Sequence, residues 1–140
     1  MNPLSIEIRM RVENLAINAA LTHFAQKPGW SVQHVSGKPG HSGYDLFATD
    51  QRGKHVRIEV KGSSHEWQIP DLYSSEVDPS TGLLVADLLC LVYCVAGVAK
   101  SLTAIPREEI RPDELWRKAT YYISGKVKKA SRIGKYSVVL

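Results

Sequence analysis

Between residues 43 and 64, two runs of alternating apolar residues flank a short polar segment, and no other pattern in the chain restricts its folding so tightly. Leu46 and Ala48 share a face in the first run; Val56, Ile58 and Val60 share one in the second. Alternation broken by a few residues that include a glycine is the signature of a β-hairpin. Residues directly opposed in an antiparallel pair point to the same side of the sheet. The apolar positions therefore coincide only when Leu46 meets Ile58 and Ala48 meets Val56. This register pairs Asp50 with Lys54 and leaves Gln51-Arg52-Gly53 as a three-residue loop. Such loops end in a left-handed residue, a conformation that Gly53 adopts without strain.

The same register sets Asp45 opposite Glu59 and puts Lys61 on the face of Glu59. A slip of one residue would carry Asp45 to the other side of the sheet. Two carboxylates facing each other on a largely apolar sheet repel and are poorly solvated, so alone they destabilise. A divalent cation reverses that sign, and hard oxygen ligands suit Mg²⁺ or Mn²⁺. Lys61 can then orient or deprotonate a water, or stabilise charge developing on a phosphate. A surface hairpin would leave the same charges merely solvated; their convergence is what argues for chemistry.

The strings that carry this cluster, Gly43-Tyr44-Asp45 and Ile58-Glu59-Val60-Lys61-Gly62-Ser63, resemble the PD-(D/E)xK nuclease superfamily, with thirteen residues between Asp45 and Glu59. Locally the pattern looks most like the NO VEIN-type domain, and is also similar to archaeal Holliday-junction resolvases and Mrr-type restriction nucleases. Tyr44 stands where the proline of the superfamily's name would be. The resemblance spans residues 7–110, its specific part being the hairpin. It implies a restriction-endonuclease-like α/β fold, a mixed sheet of about five strands flanked by helices. It also implies a metal held by Asp45, Glu59 and the carbonyl of Val60, with Lys61 beside it and a first-helix glutamate facing the site.

A first helix is legible over residues 5–26, free of internal glycine and proline until Pro28-Gly29, with Ser5 as N-cap and Glu7 in the first turn. Its buried stripe reads Ile6, Met10, Glu13, Ile17, Ala20 and Phe24. Glu13 is the acid in that stripe and the residue that matches the glutamate of the resemblance. A strand follows over 30–36, then a loop over 37–43 with three glycines that delivers the chain to Asp45. Lys38 and His41 in it could touch a phosphate, as could Ser63, His65 and Gln68 beyond the hairpin, though solvated loop residues explain them as well. Residues 71–82 are rich in turns, with Glu76 and Asp78 as spare acids. Strands are expected over 88–95 and 100–105, joined by a turn over 96–99. A helical turn should open at Pro106 and a short helix should run from 112 to 119. The chain should end in a basic loop or ribbon and a strand over 135–140.

Composition sets the limits. The 140 residues suit a single domain, 1–140, and show no internal repeat. The most apolar run, 83–99, contains Asp87 and many β-branched residues and does not read as a membrane span. Residues 1–7 lack the basic-then-apolar layout of a secretory leader. Cys90 and Cys94, four apart in an apolar run, read as buried thiols, and the histidines show no zinc-ligand spacing. A cytoplasmic protein is expected. Net charge is +4 but uneven: residues 115–140 hold seven Lys or Arg and no acid, leaving 11 basic against 14 acidic residues elsewhere. Lys126, Lys128, Lys129, Arg132 and Lys135, with aromatic residues between and around them, suit a phosphate backbone.

The acidic pair and lysine predict a Mg²⁺ or Mn²⁺ site, and the resemblance implies that it serves an endonuclease acting on DNA, with Glu13, Asp45, Glu59 and Lys61 at its site. A homodimer is a natural arrangement for a small nuclease that cuts both strands. The alternative is a catalytically inactive nuclease-fold module that binds nucleic acid or serves in a larger complex.

Overall fold

A computed structural model describes residues 3–64, 74–78, 80–112, 121–123 and 137–140. The fold is α/β. Helix α1 (Pro3–Ala25) packs on one face of an open six-stranded mixed sheet. The strands are β1 (Ser31–His34), β2 (Leu46–Thr49), β3 (His55–Ser63), β4 (Leu88–Val95), β5 (Val98–Pro106) and β8 (Ser137–Val139), hydrogen-bonded in that order. β6 (Ile110–Pro112) and β7 (Tyr121–Ile123) form a separate antiparallel pair. Six strands stand where about five were expected, because the chain returns at its end to add β8 beside β5.

The hairpin register is the one that the apolar pattern demands. Leu46 pairs with Ile58 and Ala48 with Val56. Asp50 donates its N–H to the carbonyl of Lys54, and Gly53 closes the loop at φ 82°. Asp50 also accepts the N–H groups of Arg52 and Lys54 through Oδ1, each at 2.9 Å, so the loop backbone is satisfied by its own aspartate.

β3 then pairs with β4 in parallel, Glu59 beside Leu89 and Lys61 beside Leu91, while every other pairing in the sheet is antiparallel. Asp87 pins the start of this parallel pair. Its carboxylate accepts the Arg57 N–H at 2.8 Å and forms ion pairs with Arg57 and Arg107. Burial pushes the Asp87 carboxyl up, but the Arg57 hydrogen bonds and the two guanidinium charges outweigh it and hold the group below its ordinary value.

The sheet carries two apolar layers. Leu46, Ala48, Ile58, Val60, Cys90, Val92 and Leu102 face α1 and pack against Ala16, Ala20 and Phe24. On the opposite side Leu89, Leu91 and Ile105 pack with Val35, Tyr44, Leu84 and Ile110. Cys90 and Cys94 are free, buried thiols, as the sequence suggests. No described helix is long and apolar enough to cross a membrane.

Several expectations need correction. The helix begins at Pro3, a residue suited to a first helical turn, so Ser5 lies inside it and Glu7 falls past the first turn. Its contact with the sheet also starts later than the stripe implied: Ile6 and Met10 are exposed, and packing begins at Val12. Contact begins where Gly62 lies beneath the helix. A Cβ there would lie 2.9 Å from Val12 Cγ1 and 3.0 Å from Ala16 Cβ, so the bare backbone of β3 admits the helix at that level. Lastly, Pro112 does not open a helix but pairs with Tyr121 at the end of β6, where a missing N–H costs little. The rest of 112–119 lies outside the described residues. The turn after β4 is tighter than expected, Ala96 and Gly97 both being left-handed, so that Val95 meets Val98.

Candidate active site

Regular pairing of β2 with β3 stops at Leu46–Ile58, one residue short of the expected Asp45–Glu59 rung. Asp45 still donates its N–H to the Ile58 carbonyl at 3.0 Å and accepts the Val35 N–H at 2.8 Å. Its side chain then takes over the ladder: Oδ2 accepts the Val60 N–H at 2.9 Å. Ser36 donates its hydroxyl to Oδ1 at 2.6 Å, and that hydroxyl lies 2.9 Å from His34 Nε2. Both carboxylate oxygens are thereby oriented, each keeping lone-pair capacity for a further partner.

Strand parity decides the rest. Even-numbered Ile58 and Val60 look toward α1, so Glu59 and Lys61 project from the other face, in the rows of Leu89 and Leu91. Glu59 is 6% exposed. Lys61 Nζ lies 3.6 Å from Glu59 Oε1. A closer partner comes from across the crossover between β3 and β4: Lys61 donates to Glu76 Oε1 at 2.9 Å. Glu76 ends the short 3-10 turn Ser74–Glu76 and is 5% exposed. That turn is tied down, since Val85 donates to the Glu76 carbonyl and Val77 bridges Leu84. It also touches the loop that leads to Asp45. Gly43, at φ 92°, approaches so closely that a Cβ would stand 2.6 Å from the Ser75 carbonyl oxygen.

Asp45, Glu59, Val60, Lys61 and Glu76 line one cavity of about 670 Å³, together with His34, Ser36, Lys38, His41 and, from α1, Glu13. Glu13 reaches it differently from expectation. It is exposed, at the cavity's solvent side, instead of buried in the helix stripe. His41, also lining the cavity, shares a 2.7 Å hydrogen bond with the Tyr44 hydroxyl and packs edge-on to Phe47.

The electrostatics are those of a site short of positive charge. Burial, then the charges of Asp45 and Glu76 and a hydrogen bond with Glu76, push the Glu59 carboxyl up to about 10, with Lys61 opposing too weakly to prevent it. Burial pulls the Lys61 ammonium down, but Glu76, Glu59 and Asp45 outweigh it and hold the group above its ordinary value. Three carboxylates thus share one ammonium, and Glu59 is the one whose charged form the surroundings disfavour. A divalent cation would balance that deficit, and the donors are hard oxygens of the kind Mg²⁺ prefers. Among the described residues no three His, Cys, Asp or Glu side chains converge as a complete protein cage. Mg²⁺ does not require one, since it commonly takes one or two carboxylates and fills its shell with water and phosphate oxygens.

Sequence reasoning thus brings Asp45, Glu59, Val60, Lys61 and Glu13 to a common cavity, and the chain supplies them all. It missed Glu76 and Ser36. The signal for Glu76 was slight, an acid immediately before the apolar Val77 in a turn-rich stretch. Lys126, Lys128, Lys129, Arg132 and Lys135, with His65 and Gln68, lie outside the described residues. No protein-family profile, curated protein or solved structure matches the chain.

Proposed function

We propose that this protein is a metal-dependent nuclease of the PD-(D/E)xK type that hydrolyses phosphodiester bonds in DNA. One observation carries the reading: Asp45, Glu59 and Lys61 line a single open cavity in which Glu76 adds a third carboxylate to the one ammonium. Asp45 and Glu59, with the Val60 carbonyl, would hold Mg²⁺ or Mn²⁺. Bound there, the ion would polarise a phosphoryl oxygen and lower the pKa of a bound water.

The chain's own residues do the remaining work. Ser36 and the Val60 N–H orient the Asp45 carboxylate. Lys61, kept cationic by the carboxylates around it, donates to the attacking water or to the phosphate oxygens as negative charge builds on them. Glu13, which lines the cavity from α1, would orient water near the ion. Proton abstraction by Lys61, conceivable from the sequence, fits poorly with an ammonium hydrogen-bonded to Glu76 at 2.9 Å.

The basic segment 115–140 would bind the DNA backbone through Lys126, Lys128, Lys129, Arg132 and Lys135, and two copies would address two strands. A cytoplasmic setting accords with the two free thiols. The second reading, an inactive nuclease-fold module that binds nucleic acid or works within a larger complex, has one observation in its favour. Lys61 already lies within ion-pair distance of both Glu59 and Glu76, so the cluster can stand without a metal.

The deciding experiment titrates Mg²⁺ and Mn²⁺ into the parent and into Asp45→Asn by calorimetry, with plasmid nicking assayed on the same samples. Binding and nicking that both disappear in the variant are expected. A folded parent that neither binds the ions nor nicks DNA, yet retards it on a gel, makes the binding module the correct reading.

A further inference from the structure

Among the described residues two carboxylates lie within ion-pair distance of Lys61, and they are not equivalent. Glu76 accepts its hydrogen bond at 2.9 Å, whereas Glu59 lies at 3.6 Å. Glu59 sits on the same strand two residues away; Glu76 arrives from a turn held by the Val85 N–H, by the Val77–Leu84 bridge and by the close approach of Gly43 to Ser75. A buried carboxylate on a fixed turn is costly to maintain unless it faces a charge. Among the described residues its apolar neighbours Val77 and Leu84 belong to the core layer, and the cation within reach of its carboxylate is Lys61.

We infer that Glu76 is the positioning residue for Lys61, the counter-ion that keeps the ammonium in the cavity when Glu59 is engaged elsewhere. The inference rests on the nuclease reading. Under it Glu59 has to give its oxygens to a cation, and a cation there repels the Lys61 ammonium. A lysine held only by Glu59 would be driven out as the site is loaded. With Glu76 on its other side, the ammonium stays within reach of the phosphate. Glu76 thereby divides the labour of the cluster, leaving Glu59 to the metal and Lys61 to the reacting group. It touches neither substrate nor ion itself.

The test uses the full-length chain, labelled with ¹⁵N, and follows the Lys61 ammonium resonance, identified by its loss in Lys61→Arg. Steady-state nicking at saturating Mg²⁺ is measured alongside. The resonance should be present in the parent and in Glu59→Gln and absent in Glu76→Gln. Glu76→Gln should unfold as cooperatively as the parent and lower kcat by about 10- to 100-fold with KM for DNA within about threefold, the split expected when an interaction of the transition state is lost. A purely structural role would leave kcat of the folded fraction unchanged.

A resonance that survives in Glu76→Gln, that depends on Glu59 instead, or that is missing from the parent overturns the anchor. So does a lost resonance with unaltered kcat. A parent that cuts no DNA overturns the nuclease reading and with it the catalytic part of this inference, while the resonance still decides whether Glu76 holds Lys61.

Discussion

The carboxylate of Asp45 accepts the backbone N–H of Val60 at 2.9 Å, taking the place of the next rung in the hairpin ladder. One side chain therefore closes the end of the β2–β3 pair and points into the cavity. The two duties separate by substitution. Asp45→Ala leaves the Val60 N–H without its acceptor and should cost about 1–3 kcal/mol of stability, the usual penalty for a stranded buried donor. Asp45→Asn keeps an oxygen for that N–H and should stay within about 1 kcal/mol of the parent. Urea unfolding reads this difference. Both variants should lose nicking by several orders of magnitude, because both remove the negative ligand.

Glu59 makes the ion-free protein sensitive to pH in an unusual direction. Its carboxyl titrates near 10 in the folded chain against an ordinary value of 4.5, so folding takes up a proton between these limits. The contribution is fully present below the ordinary value and is lost as pH rises toward about 10. Measured in EDTA, the parent should therefore lose Tm relative to Glu59→Gln as pH rises from 5 to about 9. A parent whose Tm tracks that of Glu59→Gln across this range would show that Glu59 is ionised without a metal.

Metal binding should release that proton. Titration of Mg²⁺ at neutral pH in two buffers of different ionisation enthalpy should give apparent heats that differ by about one proton per ion. Ion at a hundred times its Kd should also stabilise the fold by about 2.7 kcal/mol. Equal heats in the two buffers would mean that the ion binds away from Glu59.

Gly62 sets the distance between helix and sheet. Its missing side chain leaves room for Val12 and Ala16, and a Cβ would lie within 3.0 Å of both. Gly62→Ala should destabilise by about 1–3 kcal/mol through overpacking. It should also reduce nicking by more than the unfolded fraction explains, because α1 carries Glu13 to the cavity. Thermal melts and activity on the same preparation test this. Activity that simply follows the folded fraction would make Glu13 dispensable.

The hairpin was legible because two constraints agreed: apolar alternation chose a register, and Gly53 terminated the loop that this register required. Asp45, Glu59 and Lys61 followed from that register by parity alone. Glu76 was not legible, because its partnership with Lys61 runs through space between residues 15 apart in the chain, with no periodicity relating them. The helix stripe was over-read for a different reason. A 3.6-residue period shows which residues share a face, but not how far that face is covered, and contact starts at Val12, where Gly62 lies beneath the helix. Pro112 likewise obeyed a rule with two outcomes, since proline suits both a first helical turn and the end of an edge strand.

The parallel pairing of β3 with β4 also orders events in time. A hairpin closes a loop of a few residues, whereas a parallel pair must first bring together the two ends of a long crossover, here residues 64–87. Asp45 and Glu59 can meet as soon as the hairpin forms, but Lys61 gains Glu76 only when the crossover has docked. Loop-closure entropy thus favours the acidic pair before the held lysine.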